Sequence, residues 1–335
     1  MQKKKCSCDA KWAFTVDIGI DPVTCKKRQK VKSGFNTKQE AEEAVATLIH
    51  ELNEGTYLEE TDKTFSDFEI EWLPIYSESK DVKPGTIRVR LHEIGKVLPY
   101  FAQLKLRDIT RKIYQDVLND LKDQGLSDST REGINQTARM IFRKALELDL
   151  IKKDPTEFAY VKKDKKTIER LEEEEVPKYL EKEELALFVE TAKQNGLEHD
   201  YLAFLILAYT GSIRVGELVA LKWKDVDFLN HTISITKTYY NPINNAVDYQ
   251  LVTPKTRKSR RKIVVDEGVI QALKDHKEDQ NQVIKRLGDE YYNKDFIFAK
   301  MERQYGYPIV IKNVRDRMKR LLRIAGLKEE LTPLV

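Results

Sequence analysis

At 335 residues, with 41% hydrophobic and 34% charged positions, the chain is long enough for two or three domains with real cores. No segment is apolar for the length of a membrane span, the longest apolar run being Tyr201 to Tyr209, and the basic N-terminus leads into no apolar signal region. A cytoplasmic protein with no membrane partner is therefore expected. The net charge of +4 says little by itself, but residues 1–38 hold ten Lys/Arg against three Asp, and residues 252–263 hold six and no acid. Runs of this kind fit phosphate-backbone binding and also an ordinary solvated surface. The three cysteines, Cys6, Cys8 and Cys25, are too few and too unevenly numbered for a disulfide framework. Their C-x-C spacing leaves only Asp9 or distant His50 as a further ligand, so neither a metal site nor a cofactor is expected.

In chain order, residues 11–20 alternate apolar and polar positions as a strand, residues 21–26 read as a turn, and Gln29 to Ser33 form a second short strand. Trp12 and Phe14 suit the buried face of such a sheet, the reading favoured over base stacking. Thr37 with Glu40 three positions later is a capping-box signal for a helix running to Gly55. After a linker near 56–63, four amphipathic stretches follow: 65–79, 84–102, 110–124 and 129–148, punctuated by Pro84, Gly125 and Pro155. Helices of this number and length make a compact bundle. Residues 162–175 are almost wholly charged and carry no core pattern, which predicts a tether. A helix over 181–195 and an apolar helix ending at Tyr209 open the third region.

The segment Tyr209 to Phe228, YTGSIRVGELVALKWKDVDF, stops at Gly211 and restarts. A helix beginning near Ser212 would add its N-terminal dipole to the charge of Arg214, with Glu217 on the same face to orient the guanidinium. Alone, these residues also fit a surface Arg–Glu pair. Beyond them, 231–240 and 249–265 read as strands interrupted at Asn241-Pro242 and Thr253-Pro254, and a helix covers 314–333.

The segment 209–228 resembles the first active-site box of tyrosine recombinases of the phage-integrase type, through Thr210, Gly211, Arg214, Gly216, Glu217, Leu218, Leu221, Trp223, Asp225 and Asp227. Both Ser212 and Ile213 stand where that family has one residue. An extra residue inside a helix would rotate everything after it by about 100°, so it is expected in the turn. The junction Gly34-Phe35-x-Thr37-Lys38-x-Glu40-Ala41 resembles the arm-type DNA-binding domain of phage integrases, and the four-helix region is similar to their SAM-like core-binding domain. The expected fold is thus α+β and multidomain. It comprises an arm-type domain (1–58) with a three-stranded sheet and a helix, a helical core-binding domain (64–160) and a charged linker (161–176). A mainly α catalytic domain with a small antiparallel sheet (177–335) completes it.

The resemblance implies site-specific DNA recombination without metal or nucleotide, in which a tyrosine attacks the phosphodiester to give a 3′-phosphotyrosine link. Arg214 would neutralise nonbridging oxygens, and Lys255, in the Pro-Lys-Thr strand-turn, would protonate the leaving 5′ oxygen. DNA contacts are expected from Lys26, Lys27, Arg28, Lys30 and Lys32 in the sheet. In the bundle they are expected from Lys83, Thr86, Arg88, Arg90, Arg131 and Arg139, and beyond the first box from Arg257, Lys258, Arg260 and Arg261. The implied partner is double-stranded DNA at core- and arm-type attachment sites, with a homo-oligomer on DNA at full length and no small-molecule substrate. In the family Leu-Thr-Pro is followed by His-x-Leu-Arg-His and later by the nucleophile, whereas this sequence reads Leu331-Thr332-Pro333-Leu334-Val335. Tyr291, Tyr292, Tyr305 and Tyr307 all precede that box. A C-terminal truncation is expected on this reading, giving a chain that binds DNA without cleaving it, or a noncatalytic remnant that competes at attachment sites.

Overall fold

The computed structural model describes residues 2–3, 12–20, 25–54, 57, 62–79, 82–163, 179–254, 256 and 259–333. The chain divides into two compact units, Met1–Lys165 and Lys166–Val335. Among the described residues no helix is long and apolar enough to cross a membrane.

Unit 1 begins with an antiparallel sheet of β1 (Gln2–Lys3), β2 (Trp12–Ile20) and β3 (Lys27–Phe35). Phe14 pairs with Lys32 and Val16 with Lys30, and a register shift falls between Asp17 and Gly19. Phe14 is buried and stacks on Phe35 with ring centroids 5.5 Å apart, the core role expected of it. The capping box forms as its spacing predicts. Thr37 Oγ1 accepts from the Glu40 N–H at 3.1 Å, the Thr37 N–H donates to Glu40 Oε2 at 3.4 Å, and α1 (Lys38–Asn53) follows. Gly55, expected to stop this helix, lies outside the described residues, as do Cys6 and Cys8; Cys25 is exposed.

The bundle comprises α2 (Phe65–Ser79), α3 (Pro84–Phe101), α4 (Arg111–Asp123) and α5 (Asp128–Glu147). Phe65, Phe68 and Trp72, one helical face of α2, meet Phe101, Tyr114 and Phe142 in one core. Each such fully buried side chain contributes about 1.5–3 kcal/mol. Thr110 and Ser127 supply the caps that start α4 and α5, accepting from the N–H groups of Ile113 and Thr130.

Unit 2 packs α6 (Lys182–Asn195), α7 (Asp200–Thr210), a one-turn α8 (Val215–Val219), α9 (Glu267–Leu287) and α10 (Ile311–Ile324) around two small sheets. One sheet has the order β4 (Val226–Asp227), β5 (Thr232–Ile235), β8 (Arg261–Val264), and the other pairs β6 (Thr238–Tyr240) with β7 (Gln250–Val252). The fold class is the α+β arrangement expected, mainly helical with small antiparallel sheets.

Three local expectations change. The strand expected over 231–240 breaks between Ile235 and Thr238, because Lys237 turns back to pair with the buried carboxylate of Asp225. The last helix stops at Ile324, capped by Ala325 and followed by Gly326 at φ +69°, well short of residue 333. The expected tether lies mostly in residues 164–178, outside the described set.

Candidate functional site

The turn after α7 is built by two residues with opposite tasks. Gly211 adopts φ +55°, a left-handed conformation that suits glycine, and its N–H donates to the Leu207 carbonyl at 3.1 Å, ending the helix. Ile213 then inserts its side chain into the core of unit 2. Ser212 and Ile213 both lie outside any helix, so the extra residue is absorbed in the turn, and the register from Arg214 to Glu217 is untouched.

Arg214 is not within a helix, as the sequence suggested, but caps α8 in an extended conformation, with φ −81° and ψ 151°. At five residues α8 is too short to supply the dipole attached to it earlier. The orienting contact is instead a fixed one. The Arg214 N–H donates to Glu217 Oε2 at 3.0 Å, while its side chain, 54% exposed, keeps Nη1 3.5 Å from Glu217 Oε1. The Glu217 side chain is only 4% exposed.

A second guanidinium closes the site from behind. Arg261 Nη2 donates to Glu217 Oε2 at 2.8 Å and to the Ser212 carbonyl, and Nη1 donates to Glu217 Oε1 at 3.3 Å and to the Ser259 carbonyl at 3.0 Å. Burial pushes the Glu217 carboxyl up. The hydrogen bonds from Arg261 and from the Arg214 N–H, with the charges of both arginines, outweigh that effect and hold it below the usual carboxylate range. One buried anion between two cations leaves a net positive site open on the Arg214 side, which suits an anionic oxygen. Gly216 lets α8 approach β6 closely, since a Cβ there would lie 2.7 Å from Thr238 Oγ1.

Lys255, Arg257 and Lys258 lie outside the described residues. Of the strands on either side, β7 pairs with β6 and β8 pairs with β5. The Ser259 N–H donates to the Thr256 carbonyl at 3.1 Å. Arg260 is exposed, whereas Arg261 faces inward instead of serving as the surface contact expected.

The basic residues of the sheet do not share one face. Lys30 and Lys32 pair with Val16 and Phe14 and lie on their side, where Lys30 Nζ sits 5.8 Å from the Tyr57 ring centroid. Lys27 belongs to the opposite face with Gln29 and Val31; Arg28 is half-buried, and Lys26 precedes the strand exposed.

Three bundle arginines serve the fold. Arg131 is 1% exposed, with Nε donating to the Leu126 carbonyl at 3.1 Å and Nη1 to the Lys162 carbonyl at 2.8 Å, so it cannot be the phosphate contact expected. Arg139 donates to the carbonyls of Thr156 and Ala159, both at 3.1 Å. Arg90 donates to Glu93 Oε2 at 2.7 Å and Thr137 Oγ1 at 2.6 Å, in a polar seam between α3 and α5. Arg88 is exposed near the start of α3, with Lys83 and Thr86 half-buried beside it.

Comparison with known proteins covers most of the chain. The description "Phage integrase family" matches residues 178–334, "Arm DNA-binding domain" residues 2–52, and "Phage integrase, N-terminal SAM-like domain" residues 64–122. The ICEBs1 integrase of Bacillus subtilis (strain 168) is 26% identical over 295 residues, 87% of this chain and 75% of the relative. A XerC-like tyrosine recombinase of Caldanaerobacter subterraneus subsp. tengcongensis is 25% identical over 337 residues, 94% of this chain and 81% of the relative. Among solved structures, the Tn1549 transposon integrase in complex with transposon right end DNA aligns with TM-score 0.64 at 21% identity, covering 81% of this chain and 83% of that one. A lambda integrase tetramer bound to a Holliday junction aligns with TM-score 0.52 at 18% identity, covering 92% and 78%. At these identities the structural likeness concerns the fold.

Proposed function

Because the chain belongs to the phage integrase family of tyrosine recombinases, we propose that it binds double-stranded DNA at the attachment sites of a mobile element and holds a phosphodiester against Arg214. The observation that carries this reading is the exposed Arg214 guanidinium, anchored through its own backbone to a buried carboxylate that a second arginine already neutralises. Such a group is preorganised for an oxygen that gains charge in the transition state. In the family's reaction, where a tyrosine hydroxyl attacks the phosphorus and the 5′ oxygen leaves, Lys255 holds the position of the proton donor to that oxygen, and Arg260 with Arg257 and Lys258 grips the neighbouring backbone.

The division of labour follows the family pattern: residues 1–58 read arm-type sites, 64–160 form one side of a clamp, 161–176 tether it, and 177–335 hold the scissile phosphate. With Arg131, Arg139 and Arg90 occupied by the fold, the bundle's phosphate contacts reduce to Arg88, Lys83 and Thr86. Lambda integrase forms dimers and a tetramer on DNA, which supports a homo-oligomer here, acting on bacterial DNA in the cytosol.

The test is a competition band shift with the 335-residue protein and a duplex spanning the junction between element and host DNA. Binding that survives a large excess of shuffled duplex is expected. Equal competition by the junction and shuffled duplexes would overturn site-specific recognition.

A further inference from the structure

Glu217 poses a charge problem that Arg214 alone does not solve. If it paired only with Arg214, the two charges would cancel and the site facing DNA would be neutral. Arg261 engages the same carboxylate, and all four of its terminal N–H donors find protein acceptors: both Glu217 oxygens, the Ser212 carbonyl and the Ser259 carbonyl. Its side chain is 23% exposed against 54% for Arg214, so the two arginines differ in what they can still bind.

We propose that Arg261 is a positioning residue for the phosphate site and not itself a phosphate ligand. It neutralises Glu217, so that the carboxylate can fix the Arg214 backbone without cancelling the Arg214 charge. Its bond to the Ser212 carbonyl also pins the turn that holds the extra residue before Arg214. Through Ser259 the same guanidinium reaches the segment that enters β8. Arg261 thus ties three stretches of chain, the turn after α7, α8 and the entry to β8, to one carboxylate. A lysine would supply the charge and three donors, but all from one nitrogen, whereas the planar fork of arginine spans both carboxylate oxygens and both carbonyls.

This inference rests on the DNA-binding reading, and a double-mutant series read through salt dependence separates the two. The probe is a short fluorescein-labelled duplex, and the measurement is the slope of log K against log salt for the 335-residue protein. Each phosphate contact contributes about 0.9 to that slope. Arg214→Gln is expected to lower the steepness by about 0.9, and Arg261→Gln by a similar amount, since the uncompensated Glu217 now captures Arg214. Adding Glu217→Gln to Arg261→Gln is expected to restore the wild-type slope, because the competing carboxylate is gone. Arg214→Gln with Arg261→Gln should fall no further than Arg214→Gln alone. Additive losses with no rescue by Glu217→Gln would make Arg261 a phosphate contact and overturn the proposal. Should Arg261→Gln fail to fold, Glu217→Gln is compared with Glu217→Gln/Arg261→Gln: equal slopes support the proposal, and a further drop of about 0.9 overturns it. A wild-type slope near zero would instead remove the DNA-binding reading before any variant is compared.

Discussion

Lowering the pH from about 7.5 to about 5 should weaken unit 2 through its buried imidazoles, His199 above all. His199, just before α7, is buried, with Nε2 2.7 Å from the Ala299 carbonyl and Nδ1 without a partner among the described residues. Donation of its Nε2–H to that carbonyl leaves Nδ1 as the site for an added proton, where the ring is wedged edge-on against His276 and Phe298. Burial pushes its pKa down. His276 and Arg317 add to that effect, the Ala299 carbonyl opposes it, and the result falls from 6.5 to about 3. The folded pKa lies below the unfolded one, so the stability is fully present above the unfolded value and is lost as pH falls through 6.5 towards 3. At about pH 5 the unfolded imidazole is roughly 1.5 units below its pKa and the folded one is still neutral, which gives a loss of about 2 kcal/mol.

That loss depends on the unfolded pKa and hardly on how far the folded one is depressed. Neighbouring groups act in both directions: burial lowers the His276 imidazole as well, which adds to the loss. Burial raises the carboxyls of Glu198 and Asp200, so their protonation recovers stability on acidification, and Glu198 Oε1 stands 3.4 Å from His199 Nε2, where it would soften the charge. The comparison of wild type with His199→Gln cancels most of these contributions, since glutamine retains an N–H donor for Ala299. The assay is amide hydrogen exchange of α7 and residues 296–299 at the two pH values, which reads the opening of unit 2 alone. Wild type is expected to lose about 2 kcal/mol more protection than the variant. Parallel losses in the two proteins would refute the reasoning.

Two other perturbations follow from close packing. Gly216→Ala places a Cβ against Thr238 Oγ1 and should destabilise by about 1–3 kcal/mol while weakening duplex binding, and Thr238→Ala in the same chain should recover both in thermal-shift and band-shift assays. Undiminished binding by Gly216→Ala would show that the fit of α8 on β6 does not set Arg214. Arg131→Met leaves the carbonyls of Leu126 and Lys162 without their donor and should lower the urea midpoint by the equivalent of about 1–3 kcal/mol with the salt slope unchanged. A shallower slope with intact stability would return Arg131 to the DNA interface.

What could be read from the sequence divides along the range of the forces involved. The apolar spacing through 65–79 and the capping box of Thr37 and Glu40 act within one or two turns, and the elements they predict form. Arg214 and Glu217 were legible for the same reason. Arg261 was not, because six basic residues between 252 and 263 look alike until Glu217, 44 positions earlier, selects one to turn inward. Lys237 breaks its strand for Asp225, 12 positions away, and Arg131 is held by Asp128 and by backbone carbonyls, of which only the carbonyls leave no mark in the sequence. The distribution of Lys27, Lys30 and Lys32 over two faces follows from strand alternation, which a count of charges over residues 1–38 could not resolve.

The central claim is that Arg214 presents a compensated, outward-facing charge to a DNA phosphate, and the salt dependence of duplex binding by wild type and Arg214→Gln tests it most directly. A steep wild-type slope that becomes shallower by about 0.9 in the variant is the predicted result. A flat wild-type slope, or one that Arg214→Gln leaves unchanged, would contradict it.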